Sequence, residues 1–188
     1  MRMRKFSLAI LVMGALSACS ALPITVNLLP YLGTEASGTF AWTVVPGTWN
    51  MDLRLPDDQG FYADFSGAEI PVNFTSASLD YTVELTKTPP GGLSGTVTVQ
   101  AYLAPAAPNV NLWEEAYKLG DPRTFDLSTE HLTISDQILL NPAQLQALNE
   151  GTLRFGIHLT GGPVTATTQG EVYFTYEITR LNLSVTLF

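Results

Sequence analysis

Apolar and polar residues alternate along most of this 188-residue chain, and residues 170–188 show the pattern most strongly. There the apolar positions are even-numbered up to Ile178 and odd-numbered from Leu181 onward. Successive side chains of a β-strand point to opposite faces, so a period of two predicts a strand with one buried face. The change of phase predicts a bulge or bend near Thr179–Arg180. Either a bulge keeps both halves of the strand facing one core, or the strand crosses from one sheet to another.

The same alternation predicts two hairpins. Residues 40–44 and 51–55 flank a Pro-Gly dipeptide, which suits a type II turn. Residues 79–85 and 97–103 flank the sequence Pro-Pro-Gly-Gly. Further strands are predicted at residues 24–29, 70–75, 125–134 and 153–159. In the last of these, the alternation predicts that Arg154, Gly156 and His158 face outward.

One short helix is predicted over residues 141–151. Asn141 is a good N-cap, Pro142 fits the first helical position, and Gly151 can end the helix in a left-handed conformation. Leu145 and Leu148 form a small apolar stripe. We expect this helix to cover one end of the core.

These elements predict an all-β protein, a two-sheet antiparallel sandwich of the jelly-roll or immunoglobulin-like type with roughly eight to ten strands. The many Gly and Pro residues and the charged fraction of only 14% fit such a fold. The alternative is an up-and-down barrel of the lipocalin type, which would enclose a small-ligand cavity. The sandwich is expected to be a single domain over residues 37–188.

The N-terminus has the pattern of a secretory signal. Three of the first five residues are basic, residues 6–16 are almost entirely apolar, and small residues follow. The apolar run of about 11 residues is much shorter than the roughly 20 that a transmembrane helix needs. The sequence therefore predicts export of the chain.

The tetrapeptide Leu16-Ser17-Ala18-Cys19 ends this apolar run and contains the chain's single cysteine. It resembles the lipobox of bacterial lipoproteins, L-[AS]-[GA]-C. The resemblance implies a diacylglycerol on the Cys19 sulfur, cleavage before Cys19 and acylation of the new amino group. Residues 1–18 would then be the signal peptide, and residues 19–36 a lipidated N-terminus serving as a tether or a first strand. The alternative is an ordinary signal peptide whose cleavage region contains a cysteine.

Several buried acyl chains would hold the domain on a membrane without a spanning segment. Ser20, and not Asp, follows the cysteine. In enterobacteria this favours the outer membrane, so the expected location is a bacterial membrane, the outer one if there are two.

The charge of the mature chain limits its partners. Three basic residues leave with residues 1–18, so six basic residues remain against 17 acidic ones, a formal charge of −11. Nucleic acid and anionic lipid surfaces attract basic patches, and this balance argues against both.

An acidic stretch is a candidate calcium site. Asp57, Asp58 and Asp64 lie within eight residues of one another, and Asp52 is close in sequence. Carboxylate oxygens are the ligands that calcium prefers, although the full spacing of an EF-hand loop is missing. The alternative is a plain turn formed by Asp-Asp-Gln-Gly.

A second candidate is the segment that contains Trp113, Glu114, Glu115 and Tyr117. Sugars stack on aromatic rings and bond to carboxylates, so these residues could contact a glycan. Paired acids could also hydrolyse one. The alternatives are a solvated turn for the two glutamates and a Trp113 that attaches the loop to the core.

Other motifs that indicate catalysis are missing. His131 and His158 show no metal-ligand spacing, and His158 is expected on a solvated strand face. The chain has no G-x-S-x-G motif and no phosphate-binding glycine loop. We therefore expect a non-enzymatic envelope lipoprotein without a cofactor beyond its lipid, binding a protein partner at the membrane surface. The alternatives are a domain that binds a glycan or small ligand and, third, a hydrolase with paired carboxylates.

Overall fold

A computed structural model describes residues 23–68, 76–88 and 92–186 of the chain. Cys19 and the predicted strand at residues 70–75 lie outside the described residues. The described residues form eleven strands and two helices, with two single 3₁₀ turns at Gly33–Ala36 and Glu115–Tyr117.

The strands are β1 (Pro23–Asn27), β2 (Ser37–Val44), β3 (Gly47–Leu55), β4 (Phe61–Asp64), β5 (Ser76–Thr88), β6 (Leu93–Ser94), β7 (Thr96–Pro105), β8 (Lys118–Asp126), β9 (His131–Leu139), β10 (Thr152–Ala166) and β11 (Gly170–Thr186). The helices are α1 (Leu29–Leu32) and α2 (Pro142–Glu150).

The strands form two antiparallel sheets. Sheet A has the order β1–β11–β5–β9, with β2 also paired to β11. Sheet B has the order β3–β10–β7–β8, with β4 and β6 also paired to β10. The eight long strands thus split into β2–β11–β5–β9 and β3–β10–β7–β8, which is the strand order of a jelly roll. The predicted all-β sandwich is confirmed, and the barrel alternative is wrong because the two sheets do not close on each other.

Both predicted hairpins are wrong. β2 lies in sheet A and β3 in sheet B, and in the same way β5 lies in sheet A and β7 in sheet B. Alternation shows which side chains face the core, and both strands of each pair do face it, but it does not identify the hydrogen-bonding partner. Residues 45–46 suffice for the first crossing because packed sheets are only about 10 Å apart.

The predicted change of phase in the last strand is confirmed as a bulge. Ile178 pairs with Val83 and Arg180 pairs with Thr82, so Thr179 is an extra residue in β11. Even-numbered side chains are buried before the bulge and odd-numbered ones after it. Both halves of β11 therefore face one core, the first of the two predicted alternatives.

The predicted helix is confirmed as α2. The Asn141 side chain accepts a hydrogen bond from Gln144 N at 3.0 Å, and the Gln144 side chain accepts one from Asn141 N at 3.0 Å. Gly151 ends the helix with φ of 74°. In the described part of the chain, neither helix has the length and apolar character needed to cross a membrane.

The predicted strand at residues 125–134 is wrong. β8 ends at Asp126 and β9 begins at His131 in the other sheet. The Asp126 carboxylate accepts a hydrogen bond from Ser128 N at 2.9 Å, which forms a turn in the middle of the apolar pattern.

The two ends of the sandwich differ. Pro23 of β1 pairs with Thr186 of β11, and the long connections before β4, between β7 and β8, and through α2 lie at this end. The other end, where Gly170 pairs with Val44, has the short connections 45–46, 127–130 and 167–169. We call them the Pro23 end and the Gly170 end.

Within the described residues, one buried side chain of the core between the sheets is charged. Lys87 faces this core near the Gly170 end, and its side chain is 1% exposed. Burial lowers the pKa of Lys87, while nearby Glu130 and Asp126 act in the opposite direction. Within the described residues its Nζ has no hydrogen-bond partner.

Candidate functional site

Sheet B has an outer face that is covered by a loop. Residues 106–117 connect β7 to β8 and pack on β7 and β10. Under this loop Tyr102, Ala104 and Leu112 form a small buried cluster, separate from the core between the sheets. We call residues 106–117 the covering loop. The covered face consists of the outward residues Asp52, Arg54, Tyr102, Arg154, Gly156 and His158.

Two glycines allow the covering loop to lie close to the sheet. A Cβ at Gly156 would overlap the Trp113 ring and would lie 2.9 Å from Leu112 Cδ2. A Cβ at Gly60 would overlap Leu112 and the carbonyl oxygen of Phe155, and Gly60 has a φ of 74°, which favours glycine. The loop therefore packs against backbone where a side chain would otherwise stand.

Trp113 attaches the covering loop to the face. Its Nε1 donates to the carbonyl oxygen of Asp58 at 2.9 Å, and its backbone N donates to Asn111 Oδ1 at 3.2 Å. The Arg54 guanidinium lies 5.4 Å from the ring centroid, within the range of a cation–π contact. The Tyr102 ring packs edge-on at 5.3 Å. This indole is therefore occupied by contacts within the protein.

A carboxylate–imidazole pair joins β3 to β10 beside this indole. His158 Nε2 and Asp52 Oδ1 are 2.6 Å apart, and Nε2 is the donor because a carboxylate only accepts. The His158 ring is 5.7 Å from Trp113, and its side chain is 17% exposed. The hydrogen bond from His158 lowers the pKa of Asp52, with smaller contributions from the charges of His158 and Arg54. The expectation of a solvated His158 is wrong, because the covering loop shields it.

Three of the predicted calcium residues lie near one another, but each has a partner in the protein. Asp52 pairs with His158, as described above. Asp57 accepts hydrogen bonds from the backbone N–H groups of Gln59 and Gly60 at 2.7 and 3.1 Å, which forms a turn. Asp58 pairs with Arg54 at 3.0 Å. Together with Arg54 they surround an open depression of about 360 Å³.

Asp64, the fourth predicted calcium residue, lies apart from the others. Its partner on β10 is Thr152, whereas the partner of Asp52 is Thr160. Eight residues of strand separate these positions by about 27 Å. The Asp64 carboxylate accepts a hydrogen bond from Ser66 N. Among the residues that the structure describes, no group of three or more His, Cys, Asp or Glu side chains could hold a metal ion.

In the predicted glycan-contact segment, the two aromatic side chains pack against the protein and the two glutamates are exposed to solvent. Trp113 and Tyr117 pack on the small cluster beneath the loop. Glu114 and Glu115 are exposed, and Glu115 pairs with Lys118 at 2.6 Å. The aromatic residues thus hold the loop in place, as the alternative interpretation stated.

The other two tryptophans form no open stacking surface. Trp42 and Trp49 pack edge-on at 5.8 Å and lie against the core between the sheets. With Trp113 also packed, an aromatic-lined sugar site of the predicted kind has no support in the described residues.

The space between the sheets is small. An apolar cavity of about 50 Å³ lies there, and its lining includes Phe61, Tyr81, Phe155, Tyr176 and Ile178. Ligand pockets start at about 300 Å³, so this cavity is too small for the apolar ligand that a lipocalin-type fold would bind.

A larger groove lies on the covered face, between the turn after β3 and the covering loop. Its volume is about 300 Å³, and Arg154 contributes to its lining. The sequence pattern predicted that Arg154, Gly156 and His158 face outward, but it did not predict that they meet Tyr102 and the loop. These residues are far apart in the chain, and only the sheet order brings them together.

No protein-family model matches the chain, and no curated protein sequence matches it. Among solved structures, the chain is similar to the empty capsid of Triatoma virus, with 13% identity, a TM-score of 0.40, and coverage of 85% of this chain and 94% of that one. It is also similar to Mud Crab Dicistrovirus, with 13% identity, a TM-score of 0.36, and coverage of 88% and 73%. The jelly-roll assignment rests on the strand order alone.

Proposed function

We propose that this chain is a lipoprotein of the bacterial cell envelope that acts by binding and not by catalysis. Acyl chains on Cys19 would hold it to a membrane, the outer one in a bacterium with two. The observation that carries the proposal is the lipobox-like sequence together with its distance from the fold. Four residue steps separate Cys19 from Pro23, where sheet A begins, so the anchor can lie at most about 14 Å from the sandwich.

This short connection would keep the Pro23 end of the sandwich close to the bilayer. Among the large apolar side chains described, Leu139 is the most exposed, at 75%, and it lies at that end. The covering loop begins and ends there too, because β7 ends and β8 begins at the Pro23 end. A binding surface on the covered face would therefore act near the membrane surface.

The pairing of His158 fits a role in binding. In the described part of the chain its Nε2 bonds to the Asp52 carboxylate and not to a hydroxyl or thiol, which is the arrangement that an activated nucleophile needs. The partner at the membrane could be an envelope protein, as the sequence led us to expect. Exposed large apolar side chains are scattered over both sheets, which favours a partner bound by polar contacts.

Lipidation is tested by growing cells that express the full chain with an alkyne-bearing palmitate. We expect the wild-type protein to incorporate the label and to stay with membranes after a carbonate wash. The variant Cys19→Ala should lose the label and leave the membrane fraction. Ser20→Ala is the matched control and should behave as the wild type. An unlabelled wild type, or a Cys19→Ala protein that stays with membranes, would contradict the anchor.

The partner is tested by extracting the wild-type protein in mild detergent. The native size is measured, and co-purified proteins are identified by mass spectrometry, with Cys19→Ala prepared in parallel. A larger complex that depends on Cys19 would support binding to an envelope protein at the membrane. A lone monomer in both preparations would contradict a protein partner.

A further inference from the structure

The groove on the covered face is lined mainly by polar groups. Asp58 and Gln59 come from the turn after β3, Asn109 and Asn111 from the covering loop, and Arg154 from β10. Three separate parts of the chain thus converge on a space of about 300 Å³. This volume is at the lower limit for a ligand site and fits one small polar unit.

Arg154 differs from the other arginines of the described chain because it has no carboxylate partner. Arg54 pairs with Asp58 at 3.0 Å, Arg123 with Asp136 at 3.0 Å, and Arg180 with Asp80 at 3.5 Å. Arg154 Nη1 instead donates to the neutral Gln59 Oε1 at 3.3 Å. In a protein with a formal charge of −11 after removal of residues 1–18, this side chain keeps an unneutralised positive charge.

The negative charge in the groove is already balanced. The Asp58 carboxylate pairs with the Arg54 guanidinium, and the backbone carbonyl oxygen of Asp58 accepts a hydrogen bond from Trp113 Nε1. By contrast, the side-chain amide nitrogens of Gln59, Asn109 and Asn111 donate no hydrogen bond within the described residues, although the side-chain oxygens of Gln59 and Asn111 accept one each. The groove therefore offers a guanidinium and three amide donors, and lacks an unpaired acid.

Such a set of donors fits an anion that also carries several hydroxyl groups. A guanidinium binds a carboxylate through two parallel hydrogen bonds, and primary amides bond to hydroxyl oxygens. Trp113 cannot serve as a stacking surface here, since it packs against Gly156 and Arg54. Recognition would therefore depend on charge and hydrogen bonds.

We propose that the groove formed by Gln59, Asn109, Asn111 and Arg154 binds the carboxylate-bearing unit of an acidic saccharide. Arg154 holds the carboxylate, and the amides hold the neighbouring hydroxyls. The proposal rests on the proposed binding function and adds to the protein partner a ligand of a second chemical class.

The test measures binding of trigalacturonate to the detergent-extracted full chain by isothermal titration calorimetry. The fully methyl-esterified trimer is the matched ligand, because it keeps the ring hydroxyls and replaces each carboxylate by a neutral methyl ester. We expect the acid to bind and the ester to bind at least tenfold more weakly. Binding of the acid should weaken as salt is added. Equal binding of acid and ester, or no binding of the acid at millimolar concentration, would overturn the proposal.

Variants locate the site. Arg154→Gln should weaken binding of the acid at least tenfold, because it removes both charge-assisted hydrogen bonds. Arg123→Gln is the matched control, since this arginine lies on β8 of the same sheet and is paired with Asp136. It should bind as the wild type. An unchanged affinity in Arg154→Gln, or an equal loss in Arg123→Gln, would overturn the assignment.

A second variant covers the case in which Arg154→Gln does not fold. Asn109 is exposed on the covering loop, so Asn109→Ala should keep the fold and weaken binding several-fold. Unchanged binding in Asn109→Ala would count against the groove. The titration does not depend on where the chain is held in the cell, so failure of the lipid anchor and failure of this site give different results.

Discussion

The outer faces of the two sheets arise from the same alternating pattern but differ in character. The face of sheet A is open and rich in hydroxyl groups that pair across strands, at Thr25–Ser184, Thr39–Thr175 and Thr82–Ser135 with oxygen distances of 2.9 to 3.0 Å. The face of sheet B holds aromatic rings and an Asp–His pair under the covering loop. The same fold thus carries one hydrated face and one shielded face.

The difference comes from the length of the connections. At the Gly170 end, residues 45–46 and 127–130 only join one sheet to the other. The twelve residues of the covering loop are long enough to add a third layer on sheet B, which creates a second apolar cluster and a groove at its border. Beneath the loop, polar groups are paired within the protein, as His158 is with Asp52, whereas the side-chain amides of Asn109 and Asn111 at its border donate no hydrogen bond within the described residues. A binding site is therefore expected where the loop meets the sheet.

The largest effect should come from removing the apolar residue beneath the loop. Leu112 is 2% exposed, so Leu112→Ala should lower the free energy of unfolding by about 2–4 kcal/mol. Thr43→Ala is the control, because this side chain is exposed on the outer face of sheet A, and it should change the free energy of unfolding by less than about 0.5 kcal/mol. Urea denaturation of both variants measures the difference. Equal, small effects would mean that the loop contributes no packing of its own.

A smaller loss is expected at Gly156. A Cβ there would overlap Trp113, so Gly156→Ala should cost about 1–3 kcal/mol through overpacking and should shift the tryptophan fluorescence. Gly170→Ala is the matched control, because no atom lies within 4 Å of the Cβ it would add.

The cause of the Gly156→Ala effect can be checked in a Trp113→Ala background. Removing the indole relieves the closest contact and leaves Leu112 Cδ2 at 2.9 Å, so the second substitution should then cost clearly less. A cost that is unchanged without the indole would show that the Trp113 ring is not the reason that this position requires glycine.

The sequence predicts which side chains of a strand face the core better than it predicts which strands pair with one another. The bulge at Thr179 and the caps of α2 at Asn141 and Gly151 follow from local rules of side-chain period and hydrogen bonding, and both were found. The hairpin predictions were wrong because the strands that pair in a jelly roll lie far apart in the sequence. β10 contacts β3 and β7 across about 100 and 50 residues of chain, which no local pattern records.

The candidate site could be predicted only in part for the same reason. The sequence identified Asp52, Asp58 and Trp113 as residues of interest, but in two separate hypotheses. The structure joins them through Trp113 Nε1 and the Asp58 carbonyl oxygen. Arg154 was predicted only to face outward, and its unpaired charge became visible only once the other arginines of the described residues had partners.

The smallest expected effect concerns the Asp52–His158 pair. Because the pKa of Asp52 is lowered in the folded state, the unfolded chain binds the proton more tightly, and the pair stabilises the fold above pH 3.8. This contribution is lost as the pH falls through the lowered pKa. The Asp52 side chain is 75% exposed, so solvent screening limits the contribution to less than about 1 kcal/mol. Asp52→Asn should therefore be slightly less stable than the wild type at pH 6, and the difference between the two urea curves should shrink as the pH falls below 3.8. In a His158→Gln background the same substitution should have a smaller effect at pH 6. A difference that does not shrink on acidification would mean that Asp52 contributes through packing and not through its charge.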